Sequence, residues 1–128
     1  MTTAQAASTT EVAHELVDLC RKGEFNRAME ALYADNIVSV EGCEMPNMPR
    51  EIRGLDGVRR KAQWFDENNT INACTVTGPF VAKDKFAVLF ALDITEKATA
   101  KRSQMTEVAV YTVENGKITR EEFLYQEP

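Results

Sequence analysis

Residues 107–118 read EVAVYTVENGKI and carry the clearest structural signal in the chain. Their first part is rich in Val, Tyr and Thr, which favour strands, and Asn115-Gly116 is the dipeptide most typical of a two-residue hairpin turn. The stretch therefore predicts two antiparallel strands, over residues 102–113 and 117–126, joined at the Asn-Gly turn.

Two more strands are predicted upstream of this hairpin, over residues 71–81 and 85–95. Both segments are rich in Val, Ile, Thr and Phe, and turn signals follow them at Lys83-Asp84 and at residues 97–101. Consecutive strands joined by short turns usually pair in sequence order. The C-terminal half of the chain therefore predicts a four-stranded antiparallel meander.

Helices are predicted at the start of the chain. Ser8 and Glu11 have the spacing of a capping box, and apolar residues then recur at helical spacing until Gly23, which predicts a first helix that ends at Lys22. The same spacing predicts a second helix over residues 24–34, folded against the first.

The middle of the chain predicts a short strand over residues 36–40, an irregular loop over residues 42–53 and a third helix over residues 56–67. The basic run Arg59-Arg60-Lys61 is interpreted as the solvent-facing side of that helix. Three helices before a meander predict an α+β domain, in which a strongly curved, mostly antiparallel sheet wraps around the helices.

Length and charge bound the function. The chain has 128 residues and a formal net charge of −5, which fits one domain, predicted over residues 8–128 after a flexible tail at residues 1–7. The negative charge disfavours nucleic acid or an anionic membrane as a partner, and no apolar run reaches the roughly 18 residues of a membrane helix. Because residues 1–7 also lack the features of a secretion signal, we expect a cytoplasmic protein.

The cysteines and the histidine give no metal or redox motif. Cys20, Cys43 and Cys74 lie far apart and form no CxxC pair, which disfavours a disulfide framework and a zinc site. The single histidine, His14, lies off the apolar stripe of the first helix, so we expect it at the surface. We therefore predict no metal and no cofactor.

Several short motifs occur in a characteristic order along the chain: residues 32–36 (LYADN), 52–54 (IRG), 77–79 (TGP), 86–95 and 107–118. This ordered set resembles the SnoaL-like branch of the nuclear transport factor 2-like superfamily, which has a cone-shaped, cystatin-like α+β fold. The resemblance covers nearly the whole chain from Ser8 onward.

The resemblance implies a range of functions. The superfamily contains polyketide cyclases, ketosteroid isomerases, dehydratases, dioxygenase small subunits and modules that only bind or dimerise, so fold alone selects no chemistry. Its enzymes hold a small apolar molecule inside the cone, where buried carboxyl or phenol groups move protons. Two hypotheses follow: cofactor-free acid/base catalysis on a carbonyl compound, or a non-catalytic binding or dimerisation module.

The resemblance and the strand pattern together give three candidate catalytic residues. By resemblance, the general-base position of ketosteroid isomerases falls on Glu41, whereas the positions of their oxyanion donors fall on Ala109 and near Leu16, which cannot donate. Strand alternation places Glu107 and Tyr111 on the face shared with Ala109. A glutamate on that face is costly to bury unless it is hydrogen-bonded. Glu107 is therefore either a catalytic base, a structural partner of an arginine or of backbone amides, or a residue at the solvated mouth of the cone.

Other side chains are expected to line the pocket, although each has a structural alternative. Asp93 could instead face solvent at a strand end, Tyr125 could pack at an oligomer surface, and the two loop methionines could plug the core. The expected lining residues are Met45, Met48, Trp64, Phe90, Asp93, Met105 and Tyr125.

The outer face of the curved sheet predicts a partner. Val108 and Val110 alternate there with Thr106 and Thr112, and an apolar sheet face is usually covered. We therefore expect a homodimer formed through the sheet.

Overall fold

The computed structural model describes residues 5–45 and 47–126. Three helices and one six-stranded curved sheet form the predicted α+β architecture. The helices are α1 (Thr9–Arg21), α2 (Phe25–Leu32) and α3 (Leu55–Asn68), and the strands are β1 (Tyr33–Val40), β2 (Glu51–Arg53), β3 (Asn69–Ala82), β4 (Lys85–Glu96), β5 (Arg102–Glu114) and β6 (Lys117–Leu124).

The sheet contains the predicted meander. Its strand order is β2-β1-β6-β5-β4-β3, and all neighbours are antiparallel except β1 and β6, which run parallel. The β5–β6 hairpin turns at Asn115 and Gly116, both with positive φ, as the Asn-Gly dipeptide predicts. The parallel β1–β6 pair joins the N-terminal elements to the last strand.

Helix α1 closes the concave face of the sheet. Ser8 and Glu11 form the predicted capping box, and Val12, Leu16 and Val17 are almost completely buried. His14 lies on the opposite, exposed side of the helix, so its predicted surface position is confirmed.

The two faces of the sheet differ in burial. On the inner face Val88, Ala109 and Tyr111 are buried in the core beneath the helices. On the outer face Val108 and Val110 are half-buried, and Leu124 has 48% of its surface exposed. The inner face is therefore the one that can enclose a site.

Two boundaries differ from the sequence prediction. The predicted loop contains strand β2, because Ile52 pairs with Ser39 of β1, so the sheet has six strands rather than five. In addition, α2 ends at Leu32 and β1 begins at Tyr33 rather than at Asn36. At this boundary the hydroxyl of Tyr33, which is partly buried, donates a hydrogen bond to Glu121 of β6.

Some predicted features lie partly outside the residues that the structure describes. Residues 5–7 of the predicted tail are exposed and form no helix or strand, whereas residues 1–4, Pro46 and residues 127–128 lie outside the described residues. Within the described chain, no helix is long and apolar enough to cross a bilayer.

Candidate functional site

Three glutamates, two within strands and one directly after a strand, converge on the inner face. Glu41 follows the last residue of β1, Glu107 lies in β5 and Glu121 in β6. The register pairs Glu121 with Ser39 on one side and with Tyr111 on the other. Because alternate residues of a strand share a face, Glu107 and Tyr111 both point inward, as predicted.

Lys61 brings a positive charge into this group from α3. Its ammonium donates to Glu41 Oε1 at 2.7 Å and to Ser39 Oγ at 2.6 Å, and it lies 5.2 Å from the centre of the Phe123 ring. Only 12% of its side chain is exposed.

The interpretation of the basic run as a solvent-facing side is therefore wrong for Lys61. Arg59 and Arg60 are exposed as expected, but α3 is rotated so that the next residue faces the sheet. Burial of the Lys61 ammonium is tolerated because Glu41 neutralises it and Ser39 accepts a second hydrogen bond.

Glu121 is the most enclosed of the carboxyl groups, with 2% exposure. It accepts a hydrogen bond from the hydroxyl of Tyr33 and another from Ser39 Oγ at 2.6 Å. Burial raises its pKa, and the opposing effects of Lys61, Ser39 and Tyr33 only reduce that rise. Glu121 is therefore a fully bonded, structural member of the network.

Glu41 is bound on both oxygens. One accepts from Lys61, and the other accepts from the hydroxyl of Tyr125 at 2.8 Å. The Cys43 thiol donates in turn to the Tyr125 hydroxyl at 3.6 Å. Desolvation, followed by the hydrogen bonds to Cys43 and Glu41, raises the pKa of Tyr125, so this phenol stays neutral and remains a donor.

Backbone geometry holds Tyr125 in this position. A Cβ added to Gly42 would lie 3.2 Å from the Tyr125 ring and 3.0 Å from the Phe123 carbonyl oxygen. A larger residue would therefore have to displace the ring, and glycine allows the close packing.

Glu107 is the carboxyl without a partner. In the described part of the chain Glu107 makes no hydrogen bond. Every fully enclosed side-chain oxygen or nitrogen of the described residues does have a hydrogen-bond partner, so the Glu107 oxygens are not completely enclosed by protein atoms. Desolvation, with smaller contributions from Glu41 and Glu121, raises its pKa to about 7, while Lys61 acts in the opposite direction. Such a carboxyl can accept or give a proton near neutral pH.

Tyr111 lies deeper than expected for a residue that contacts a ligand. It is 3% exposed, its ring stacks on Phe86 with 4.8 Å between centroids, and burial raises its pKa. Phe90, which pairs with Glu107, is likewise a core residue. The structure therefore places both in the core, next to the glutamates with which they pair on the inner face, rather than at an open surface.

Asp93 lies on the opposite face of the sheet, which corrects its assignment to the pocket. It pairs with Gln104 of β5. Gln104 is three residues from Glu107 in the same strand, so the two side chains point to opposite faces of the sheet. Arg102 binds both of its oxygens, at 2.8 and 2.7 Å. The hydrogen bonds from Arg102 and Asn72 lower its pKa to about 2, so it is a stable carboxylate outside the cone.

The remaining expected lining residues are partly buried. Met105 and Trp64 are half-buried, and Trp64 lies one turn after Lys61 on α3, hence on the same side. Met45 and Met48 pair in an isolated bridge within the segment between β1 and β2. These positions keep the four side chains as candidate walls of the site.

Two depressions of about 440 Å³ lie in other parts of the surface. One runs between α2 and α3 and is lined by charged residues that include Glu30 and Arg59. The other lies between α1 and β3, with Cys20 and Cys74 in its wall. Desolvation, and then the charge of Glu107, raises the pKa of Cys74.

Sequence reasoning missed Tyr33, Ser39, Lys61 and Glu121 as members of the network. A signal existed for Glu121, since it shares a strand face with Phe123 in the same way as Glu107 shares one with Ala109. No local signal distinguishes Ser39 or Lys61, because their partners come from distant parts of the chain.

Comparison with known families agrees with this fold. A family model described as the SnoaL-like domain matches residues 7–125. A search of curated proteins gave no significant match.

Solved structures give the same grouping. One solved structure is of a Mesorhizobium loti protein for which the name SnoaL-like polyketide cyclase, with carbohydrate phosphatase in brackets, has been proposed. It is 40% identical to this chain and has a TM-score of 0.88, over 93% of this chain and 100% of its own. A protein of unknown function from Burkholderia pseudomallei, described as NTF2-like, is 12% identical with a TM-score of 0.75 over 94% and 92% of the two chains. A Xanthomonas campestris protein of unknown function with a cystatin-like fold is 14% identical with a TM-score of 0.72 over the same shares.

Proposed function

Because this chain belongs to the SnoaL-like family, we propose that it catalyses cofactor-free acid/base chemistry on a small carbonyl compound, with Glu107 as the base. The observation that carries the proposal is the unpartnered carboxyl of Glu107 among groups that are otherwise hydrogen-bonded. The name proposed for the Mesorhizobium loti relative, a polyketide cyclase, belongs to this class of reaction.

The distribution of hydrogen bonds assigns the roles. Glu41, the base expected by resemblance, is occupied by Lys61 and Tyr125, so it acts as a positioning group. Glu107 is free to approach a ligand. Tyr125 is a neutral phenol on the same side of the sheet, because the β5–β6 register continued by one residue places it beside Glu107.

The proposed step is proton abstraction next to a carbonyl. Glu107 removes the proton, the C–H electron pair forms an enolate, and the Tyr125 hydroxyl turns its one proton from Glu41 to the enolate oxygen, while Glu41 keeps the hydrogen bond from Lys61. Return of the proton at another carbon isomerises the compound. Attack of the enolate on a second carbonyl of the same molecule closes a ring, and the proton then passes to the new alkoxide.

Hydrogen exchange tests this step without knowledge of the natural substrate. Cyclohexanone is incubated with the protein in D₂O at pH 8, and loss of its α-hydrogens is followed by ¹H NMR. The wild type is expected to accelerate exchange over buffer, Glu107→Gln to reduce the acceleration about 100-fold, and the exposed control Glu114→Gln to leave it unchanged. Full activity in Glu107→Gln would reject the assignment.

A non-catalytic binding module is the second candidate. It is favoured by the complete pairing of Glu41 and Glu121, since a satisfied polar network can serve structure alone. Stoichiometric binding of cyclohexanone with no exchange above buffer would support this alternative against catalysis.

We also propose a homodimer through the outer face of the sheet. Val108, Val110 and the exposed Leu124 form an apolar surface there, and such a surface favours a twofold copy. Light scattering is expected to give twice the mass of one chain at micromolar concentration, and Leu124→Lys to shift the mass toward that of a monomer. A monomeric wild type would contradict the proposal.

A further inference from the structure

The inner network has an unequal balance of charge. Three carboxyl groups, those of Glu41, Glu107 and Glu121, face one ammonium, that of Lys61. Charge interactions with Glu107 come from all three of the other groups: Glu41 and Glu121 oppose its ionisation, and Lys61 favours it. The site therefore has a surplus of negative charge whenever Glu107 is ionised.

The single cation is already committed. Lys61 donates to Glu41 and Ser39, and its charge also lies over the Phe123 ring. A ligand anion would have to take the ammonium from a carboxylate that is 15% exposed. Leaving that carboxylate unpaired carries a large desolvation penalty, so an anion gains little from Lys61.

The phenols add donors but no positive charge. Burial raises the pKa of Tyr33 and Tyr111, and desolvation with its two hydrogen bonds does the same for Tyr125. All three stay neutral in the physiological range. The Tyr33 hydroxyl donates to Glu121 and Tyr111 lies in the core, so only the Tyr125 hydroxyl can turn to a carbonyl oxygen. None of the three compensates the charge of a carboxylate or a phosphate.

We infer that this site selects ligands that are uncharged or cationic at the end facing Glu107 and rejects carboxylates and phosphate esters. The inference rests on the proposed function, because it assumes that a small molecule reaches Glu107. It adds the charge class of the ligand, which the family resemblance leaves open. Charges of equal sign a few ångströms apart in a partly desolvated site repel strongly enough to weaken binding about tenfold or more.

A matched series of cyclohexyl compounds tests the inference. Cyclohexanone, cyclohexylamine and cyclohexanecarboxylate share one ring and differ in charge at pH 8. Each is titrated into the ¹⁵N-labelled protein, and the amide shifts of β5 and β6 give both the location and the Kd. We expect the ketone and the ammonium to bind about tenfold more tightly than the carboxylate.

Two variants identify the source of the selectivity. Glu107→Gln removes the charge with little change in shape and is expected to bring the carboxylate to within about threefold of the ketone. Glu114→Gln, at an exposed residue of the same strand, is the matched control and is expected to keep the wild-type order.

The outcomes separate this inference from the proposed function. A carboxylate that binds the wild type at β5 and β6 as tightly as the ketone would overturn the charge selectivity and leave the site intact. If Glu107→Gln keeps the wild-type order of the three affinities, the charge selectivity would likewise be overturned and the site left intact. Absence of binding by all three compounds at these strands would overturn the proposed function together with the inference.

Discussion

Glu107 and Asp93 are acidic residues of adjacent strands that face opposite sides of one sheet. Asp93 on the outer face is held by Arg102 and Asn72, which lower its pKa to about 2. Glu107 on the inner face has no such partner, and burial beside Glu41 and Glu121 raises its pKa to about 7. The same functional group is thus a permanent anion on one face and a proton acceptor near neutral pH on the other, because its surroundings differ.

Removal of the Lys61 ammonium, the positive charge of the inner face, should have the largest effect on stability. Lys61→Met leaves Glu41 and Ser39 without their shared donor and is expected to lower the free energy of unfolding by about 4 kcal/mol. Urea denaturation at pH 7.5 measures this. Arg60→Met, at an exposed position of the same helix, should change stability little, and Lys61→Arg should recover part of the loss. Equal stability of Lys61→Met and Arg60→Met would show that the inner ion pair is not structural.

The inner face should also make stability depend on pH. The pKa of Glu107 is raised from 4.5 to about 7, so the folded protein holds this proton more tightly than the unfolded chain. Its contribution is complete below pH 4.5 and is lost as the pH rises through 7, which amounts to about 3 kcal/mol. Urea denaturation at pH 5 and pH 8 should therefore show a larger decrease for the wild type than for Glu107→Gln. Parallel changes in the two proteins would contradict the raised pKa.

Removal of the donor at the edge of the site should have a smaller effect. Tyr125→Phe deletes the hydrogen bond to Glu41 but keeps the ring against Gly42. We expect about 1 kcal/mol of lost stability and about a tenfold loss of cyclohexanone exchange. If exchange stays at the wild-type rate in D₂O, Tyr125 does not stabilise the enolate.

The smallest effect is expected on the outer face. Asp93→Asn weakens a pairing with Arg102, whose side chain is 68% exposed, and an ion pair with one partner in solvent contributes little. Exchange activity and its pH profile should match those of the wild type. If Asp93→Asn shifts the pH profile, the two faces of the sheet are coupled. The contrast between a passive Asp93 and a reactive Glu107 would then not hold.

The meander and the first helix could be predicted because their signals are local. The Asn115-Gly116 turn and the Ser8–Glu11 capping box each lie within a few residues of the elements that they delimit. Strand alternation likewise placed Glu107 on the inner face. Strand β2 was missed because it has three residues and exists only through its pairing with β1.

The network could not be predicted because its contacts are distant in sequence. Ser39 and Glu121 are 82 residues apart and meet only through the parallel β1–β6 pair. Lys61 follows two exposed arginines, and nothing nearby indicates that Glu41 will neutralise it. Asp93 was assigned to the wrong face because its strand is apolar on both faces. The alternation of side chains along such a strand does not tell which face is inside.

A titration of the Glu107 carboxyl tests the central claim most directly. The side-chain carboxyl carbon is followed by ¹³C NMR from pH 3 to pH 9, and Glu107→Gln identifies the signal. The structure predicts a midpoint of about 7, shifted by desolvation and by Glu41 and Glu121. A midpoint near 4.5, the ordinary value for glutamate, would show that Glu107 is solvated and would remove the basis for its role as a base at neutral pH.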